Sequence, residues 1–458
     1  MDVGRGGAVG GAMRALAASA AADAGVDSLA RRCPRVATTV AVTIAVWVSL
    51  APSLLPRAAL AQAAASGCAA AAAAVAAGVR RRRHGGSAPR PGAARPAALV
   101  VAAGALGWAV LAAAQWQDAL RASMGRPPAG PAHWIVVCSC APLIFAAVRA
   151  IGRVPGAWRR RAGTRAVAAT AVTVAMGVGV AIVPVGLGQA DPVARPVAAA
   201  VAGSPSSLVS WESLGDEGRR FVTLDAHPGA IRTYVGLGSA ADARSRAALA
   251  VRELDRAGGF ARAHVVVAVP TGSGWIDPGA VRGFDTVFGG DVALVAQQYS
   301  AAPSWVTFLF DRNAAAASAR ALLTAVRAHL DTLDPVRRPQ LHVYGQSLGS
   351  IGGSAALADH ASAAAGPCAA IWAGPPAGAV RTAGAIVTAN TSDPVVWWQP
   401  SLLWSPPDLS RARRDAPVPR WLPVVSFVQA TLDLPVALDA APGHGHRYGP
   451  DQARCDRP

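Results

Sequence analysis

Hydrophobic and polar positions divide this chain into two textures. Through the first 190 residues, long uncharged apolar runs alternate with short loops. The runs cover 36–56, 58–79, 97–117, 127–148 and 166–190. Most approach or exceed the ~20 residues needed to cross ~30 Å of hydrocarbon. From about residue 219 the apolar segments shorten and alternate with amphipathic ones. Strands are predicted at 220–224, 231–236, 264–269, 292–299, 341–344, 369–373 and 385–389, with a last one at 424–429. Helical spacing covers 240–257, 314–330 and 350–364. Strands alternating with helices predict a mostly parallel sheet covered on both faces. The expected order is a polar tail (1–35), a multi-pass α-helical transmembrane bundle of about five spans (36–190), a linker (191–218) and an α/β domain (219–458).

Charge sharpens the membrane half. All 43 basic residues are Arg, and the absence of Lys excludes Schiff-base and Ser–Lys chemistry. The net charge of +17 is uneven: 20 Arg face 4 Asp before residue 191, and 23 Arg face 22 acidic residues from Asp191 onward. The excess sits in loops between apolar runs, with Arg80, Arg81, Arg82, Arg83, Arg90 and Arg95 in one and Arg149, Arg153, Arg159, Arg160, Arg161 and Arg165 in another. By the positive-inside rule, the N-terminus and both loops are cytoplasmic, so the α/β half is extracytoplasmic. Membrane lipids are the expected partners, and no nucleic acid is. The cleaner spans carry no Asp, Glu, His or Arg, which argues for an anchor over a pump or carrier. Six cysteines show no zinc spacing, and no metal or cofactor is expected. Cys368 and Cys455, the two in the C-terminal half, read as unrelated thiols.

The candidate chemistry centres on Gly345-Gln346-Ser347-Leu348-Gly349, between an apolar strand and a small-residue helix. A G-x-S-x-G turn in that context strains the serine and exposes its hydroxyl above the sheet. Such a serine needs a histidine base oriented by a carboxylate. On an α/β sheet of this kind the chain order is Ser, acid, His. Of nine histidines, six precede Ser347 and His360 lies on or just past the helix leaving it. His444 and His446 remain, in a glycine-flanked loop. His444 is favoured because Gly443 and Gly445 free its backbone, with His446 open as the base or as a structural neighbour. Asp393, on the turn after 385–389, is the candidate acid ahead of Asp408, Asp415, Asp433 and Asp439. The oxyanion donors are expected from the Leu348 backbone N–H and from Thr271, Gly272, Ser273 and Gly274, the loop after 264–269. Trp397 or Trp398 is a candidate for lining an apolar pocket.

These motifs resemble the actinobacterial membrane-anchored α/β-hydrolase family. The resemblance rests on APSLLPR (51–57), YVGL (234–237), PTGSGWIDP (270–278), QYS (298–300), GQSLG (345–349), GPP (374–376), SDPVVWW (392–398) and GHGH (443–446). It implies a multi-pass N-terminal region joined to an α/β-hydrolase domain with a serine nucleophile, and it supports Ser347, Asp393 and the His444/His446 loop. The segment between Gly374 and the strand at 385 is short for the family, which predicts less material to cap the pocket. Gln346 stands where an acidic residue or His is common. The expected activity is hydrolysis of a small-molecule or lipid ester or thioester. An acyltransferase with the same residues, or a non-catalytic protein of this fold, are the alternatives.

Overall fold

The computed structural model describes residues 33–84, 93–152, 194–196, 198, 201–225, 227–302, 304–359 and 369–453. The tail at 1–32, the apolar run at 166–190, His360, Cys368 and Cys455 lie outside the described residues. The chain forms two compact units. Ser53–Pro56 and Ala122–Arg126 group with the C-terminal α/β unit, and the rest of the N-terminal half forms the other.

The helical unit contains α1 (Val36–Leu50), α2 (Ala59–His84), α3 (Ala94–Ser123) and α4 (Gly130–Ile151). Among the described residues, α2, α3 and α4 carry stretches long and apolar enough to cross a membrane. The first predicted span is shorter than expected. α1 has 15 residues, about 22 Å of rise, because the chain turns extended at Ala51 and Pro52. Val100, Val101, Leu111, Ile135 and Leu143 are exposed, as lipid-facing positions would be. Where α2 meets α4, a Cβ on Gly67 would lie 2.6 Å from the Ala141 carbonyl, so only glycine permits the approach. Polar groups here satisfy one another. Arg57 and Gln62 both donate to the Ser49 carbonyl, and Gln62 also donates to Ser66.

The α/β unit is a seven-stranded, wholly parallel sheet. Its strands are β1 (Ile231–Val235), β2 (His264–Val269), β3 (Val292–Gln297), β4 (Gln340–Gln346), β5 (Ala370–Ala373), β6 (Ile386–Asn390) and β7 (Ala412–Arg413). The order is β1-β3-β2-β4-β5-β6-β7. β2, β3 and β5 are near-continuous apolar runs, as strands buried on both faces must be. Around them pack α5 (Gly215–Thr223), α6 (Ala243–Arg256), α7 (Pro278–Val287), α8 (Ser304–Phe310), α9 (Arg312–Thr332), α10 (Leu348–Ala358), α11 (Pro394–Trp397) and α12 (Val425–Asp433). The core joins Val265, Val266, Val267, Leu294, Leu323 and Ile371.

Two predicted strands are helices. Residues 220–224 end α5, where Leu214, Gly218, Phe221 and Val222 are buried at helical spacing. Asp216 and Glu217 in its first turn and Arg220 in its last complement the helix dipole. Residues 424–429 open α12, which buries Ser426, Gln429, Ala430 and Asp433. The β-branched valines at 424, 425 and 428 suggested a strand, but the polar residues at i, i+3 and i+7 face inward. The segment expected as a linker also joins the core, through Ala202, Val209 and Leu214. Its Ser207 hydroxyl and Leu208 N–H donate to the fully buried Glu253 carboxylate.

One buried ion pair fixes a corner of the sheet. Arg232 of β1 meets Asp285 of α7, with side chains 2% and 5% exposed. Removing one member leaves an unpaired buried charge, whereas an apolar pair of similar volume does not. Asp285→Ala is therefore expected to destabilise the α/β unit by about 3–5 kcal/mol. Arg232→Met combined with Asp285→Leu should recover most of it. Thermal unfolding of the full chain in detergent checks both.

Candidate active site

Ser347 stands between β4 and α10, at φ 54° and ψ −123°. Among the described residues only Ser347 and Val424 combine a side chain with positive φ. Such a backbone costs about 1–3 kcal/mol and persists only where its surroundings impose it. Here two glycines impose it. A Cβ on Gly345 would lie 2.4 Å from the Gly349 carbonyl oxygen, and one on Gly349 would lie 2.2 Å from that of Val269. The Ser347 N–H donates to the Ala373 carbonyl at 2.9 Å, which ties the turn to the end of β5. Both neighbouring strands thus grip the turn where the chain reverses into α10.

Asp393 follows β6 and is fully buried. Its Oδ1 accepts the Val395 N–H at 2.8 Å, so the carboxylate caps the first turn of α11. Its Oδ2 lies 2.7 Å from His446 Nδ1 and also accepts the Tyr448 hydroxyl. Burial, followed by the Asp393 charge, raises Tyr448 well above the usual phenol range. Tyr448 therefore stays a neutral donor. A carboxylate facing Nδ1 favours the proton on that nitrogen and leaves Nε2 basic. Among the described residues His446 Nε2 is buried and has no hydrogen-bond partner. The imidazole rests on Gly374, where an added Cβ would lie 2.7 Å from His446 Cε1. Gly374 directly follows Ala373, whose carbonyl holds the Ser347 N–H. The ring and the strained serine therefore border the same two residues at the end of β5.

The two histidines of the loop face different carboxylates. His444 Nδ1 lies 3.2 Å from Asp415, not near Asp393. Asp415 also accepts from the Thr391 and Ser392 hydroxyls and from the Ser392 N–H at 3.0 Å. The Ser392 hydroxyl oxygen in turn accepts the Gly445 N–H at 2.7 Å. His444 and Asp415 thus brace the turn carrying both Asp393 and His446. The glycines that were thought to free His444 do other work: Gly443 and Gly445 have φ 87° and 55° and bend the chain so that the next residue, His446, points inward.

The sequence reading gave no supporting role to Tyr448, Asn390 or Ser392, and named Asp415 only as a competing acid and Gln346 only as a departure from the common pattern. The Asn390 amide donates to the Gly445 carbonyl at 2.9 Å. Gln346, beside the serine, donates to the His446 carbonyl at 2.9 Å. The residue that departs from the common pattern therefore anchors the histidine loop. A polar residue just before the serine was the available signal for Gln346. No local signal marks the others, whose roles come from contacts across 23 to 58 residues.

In the loop after β2, Thr271 N–H bonds Trp275, Gly274 N–H bonds Thr271, and Ser273 N–H reaches Ser304 Oγ at 3.3 Å. Among the described residues, the Gly272 N–H is the one of these four loop donors with no hydrogen-bond acceptor. Leu348 is the first residue of α10, where an N–H has no carbonyl one turn back within the helix. The approach of Gly349 to Val269 and Pro270 brings these two amides to adjacent elements. Nearby, Trp398 packs against Phe308 and Phe427, while Trp397 is buried. A separate cavity of about 350 Å³, lined by Glu217, Phe221, Leu224, Trp275 and Ile276 among others, includes none of Ser347, Asp393 and His446.

Thr271, Ser347, Gly374 and Asp393 follow the carboxyl ends of β2, β4, β5 and β6, four consecutive strands of the sheet. That is where open α/β sheets carry their sites. Comparison with known proteins agrees with this architecture. An alpha/beta-hydrolase family model matches residues 231–383 and 381–455. A model of the N-terminal region of an alpha/beta-hydrolase family matches 50–190 and 187–224. No curated protein and no solved structure gives a significant match. With both halves matched and a seven-stranded parallel sheet that fits the fold, the chain belongs to the alpha/beta-hydrolase family.

Proposed function

We propose that this protein is a membrane-anchored serine hydrolase that cleaves an ester or thioester through an acyl-enzyme on Ser347. The observation that carries the reading is the His446 imidazole, fixed at Nδ1 by Asp393 and unpartnered at Nε2, beside a strained serine. In this reading Ser347 Oγ attacks the carbonyl carbon as His446 Nε2 takes the hydroxyl proton. Asp393 stabilises the imidazolium that forms. The Leu348 and Gly272 N–H groups receive the oxyanion. The tetrahedral intermediate collapses, the C–O or C–S bond breaks, and the leaving group takes the proton from His446. Water then attacks the acyl-enzyme, giving its proton to His446. Ser347 recovers that proton as the carboxylic acid leaves.

The apolar helices favour lipid or acyl-ester substrates delivered at the membrane. The Arg-bearing connections at 80–83 and 149–165 favour a cytoplasmic N-terminus and an extracytoplasmic hydrolase unit.

Purified full-length protein should hydrolyse short-chain p-nitrophenyl esters. Ser347→Ala and His446→Ala are each expected to lower kcat by roughly 10³-fold or more, since residues acting as a unit fail together. His444→Ala should lose less than about tenfold, because it acts through the loop. Equal losses for His444→Ala and His446→Ala would overturn the assignment of the base. Tyr448→Phe removes one donor to Asp393 and should lower kcat by roughly tenfold, a loss of about 1–2 kcal/mol for a bond to a charged group. A kcat comparison at saturating ester tests it.

A further inference from the structure

A segment encoded far from the histidine loop forms part of its support. Ser53–Pro56 lies in sequence between α1 and α2, yet it belongs to the α/β unit. Ser53, Leu54 and Leu55 are each no more than 2% exposed. Leu54 N–H donates at 2.7 Å to Oδ2 of Asp433, a fully buried carboxylate at the end of α12. The Ser53 hydroxyl donates to the Leu55 carbonyl at 2.9 Å and stiffens the turn.

Leu55 and Asp433 reach the backbone of His446 by two routes. A Cβ on Gly445 would lie 3.1 Å from Leu55 Cδ2, so Leu55 forms the floor under the residue that precedes His446. Asp433 begins the turn that continues to Ala437, whose carbonyl accepts the His446 N–H at 3.0 Å. Opposite this floor, Asn390 and Ser392 hold Gly445 through its carbonyl and its N–H. His446 is therefore set between strand-end residues on one side and Ser53–Pro56 with the α12 turn on the other.

We propose that Ser53–Pro56 is a positioning element for His446, so that the hydrolase site is incomplete without a loop carried by the membrane-helix half of the sequence. This rests on the serine-hydrolase reading above. The bond to Asp433 and the packing of Leu55 fix where the imidazole stands relative to Ser347 and Asp393. Loosening either moves the ring without removing any reacting group. Because Pro52 precedes the loop and Arg57 follows it, its conformation is tied to the ends of α1 and α2.

The test uses the full-length protein in detergent, with kcat and KM measured on a p-nitrophenyl ester and thermal unfolding measured in parallel. Leu55→Ala empties the floor under Gly445, and Asp433→Leu removes the acceptor. Each should lower kcat roughly 10- to 100-fold, since displacements near 1 Å reach that size, while KM changes little. Leu55→Met and Asp433→Asn refill the floor or restore an acceptor and should recover most of the loss. Folded Leu55→Ala and Asp433→Leu proteins with wild-type kcat would overturn the proposal while leaving the serine-hydrolase reading intact. So would a loss that follows only the fraction of unfolded protein. Wild-type protein with no Ser347-dependent turnover would instead remove the hydrolase reading, and the proposal with it.

Discussion

The hydrogen bond between Asp393 and His446 is the interaction around which the α/β unit is organised. A buried carboxylate in a low-dielectric interior needs donors on its oxygens, or its ionised form is too costly to keep. Asp393 has three: the Val395 N–H, the Tyr448 hydroxyl and His446 Nδ1. Each donor imposes a structural requirement. The Val395 contact requires a helical turn after β6. The other two require the C-terminal loop to return over the strand ends. The loop in turn needs Gly443 and Gly445 at positive φ, an outer brace of Asp415 and Ser392, and the anchor of Gln346.

The parallel sheet makes this economical. Consecutive strands deliver their carboxyl ends side by side, so residues more than a hundred apart in sequence meet without long excursions. Ser347 obtains its strain from the same arrangement, because α10 has to leave the sheet against the end of β2. The close approaches at Gly345 and Gly349 follow from that exit, and positive φ at the serine follows from them. Strain at the serine is thus a consequence of strand-to-helix packing.

Much of this was legible in the sequence where local pattern and function coincide. The strand–glycine–serine–glycine–helix run carries its own geometry, and the chain order, with His360 placed on or just past the helix leaving the serine, narrowed nine histidines to two. The choice between those two was not legible. Glycine flanks look alike around His444 and His446, and what separates them is the partner each meets across the fold, Asp415 or Asp393. The strand assigned at 424–429 failed for a related reason. Valine favours strands weakly, and the burial of Gln429 and Asp433 that makes α12 a helix depends on tertiary partners. The 15-residue α1 likewise could not be separated from the loop behind it by hydropathy, since Leu54 and Leu55 read as membrane residues while lying buried in the α/β unit.

The central claim is that Ser347 is a nucleophile activated by His446. It is tested most directly by treating the full-length protein with a fluorophosphonate and locating the adduct by peptide mass spectrometry. The account predicts a single phosphonyl group on the peptide containing Ser347, formed rapidly in the wild type and lost in His446→Ala. Folded wild-type protein that takes up no label, or label on another residue that persists when His446 is replaced, would contradict it.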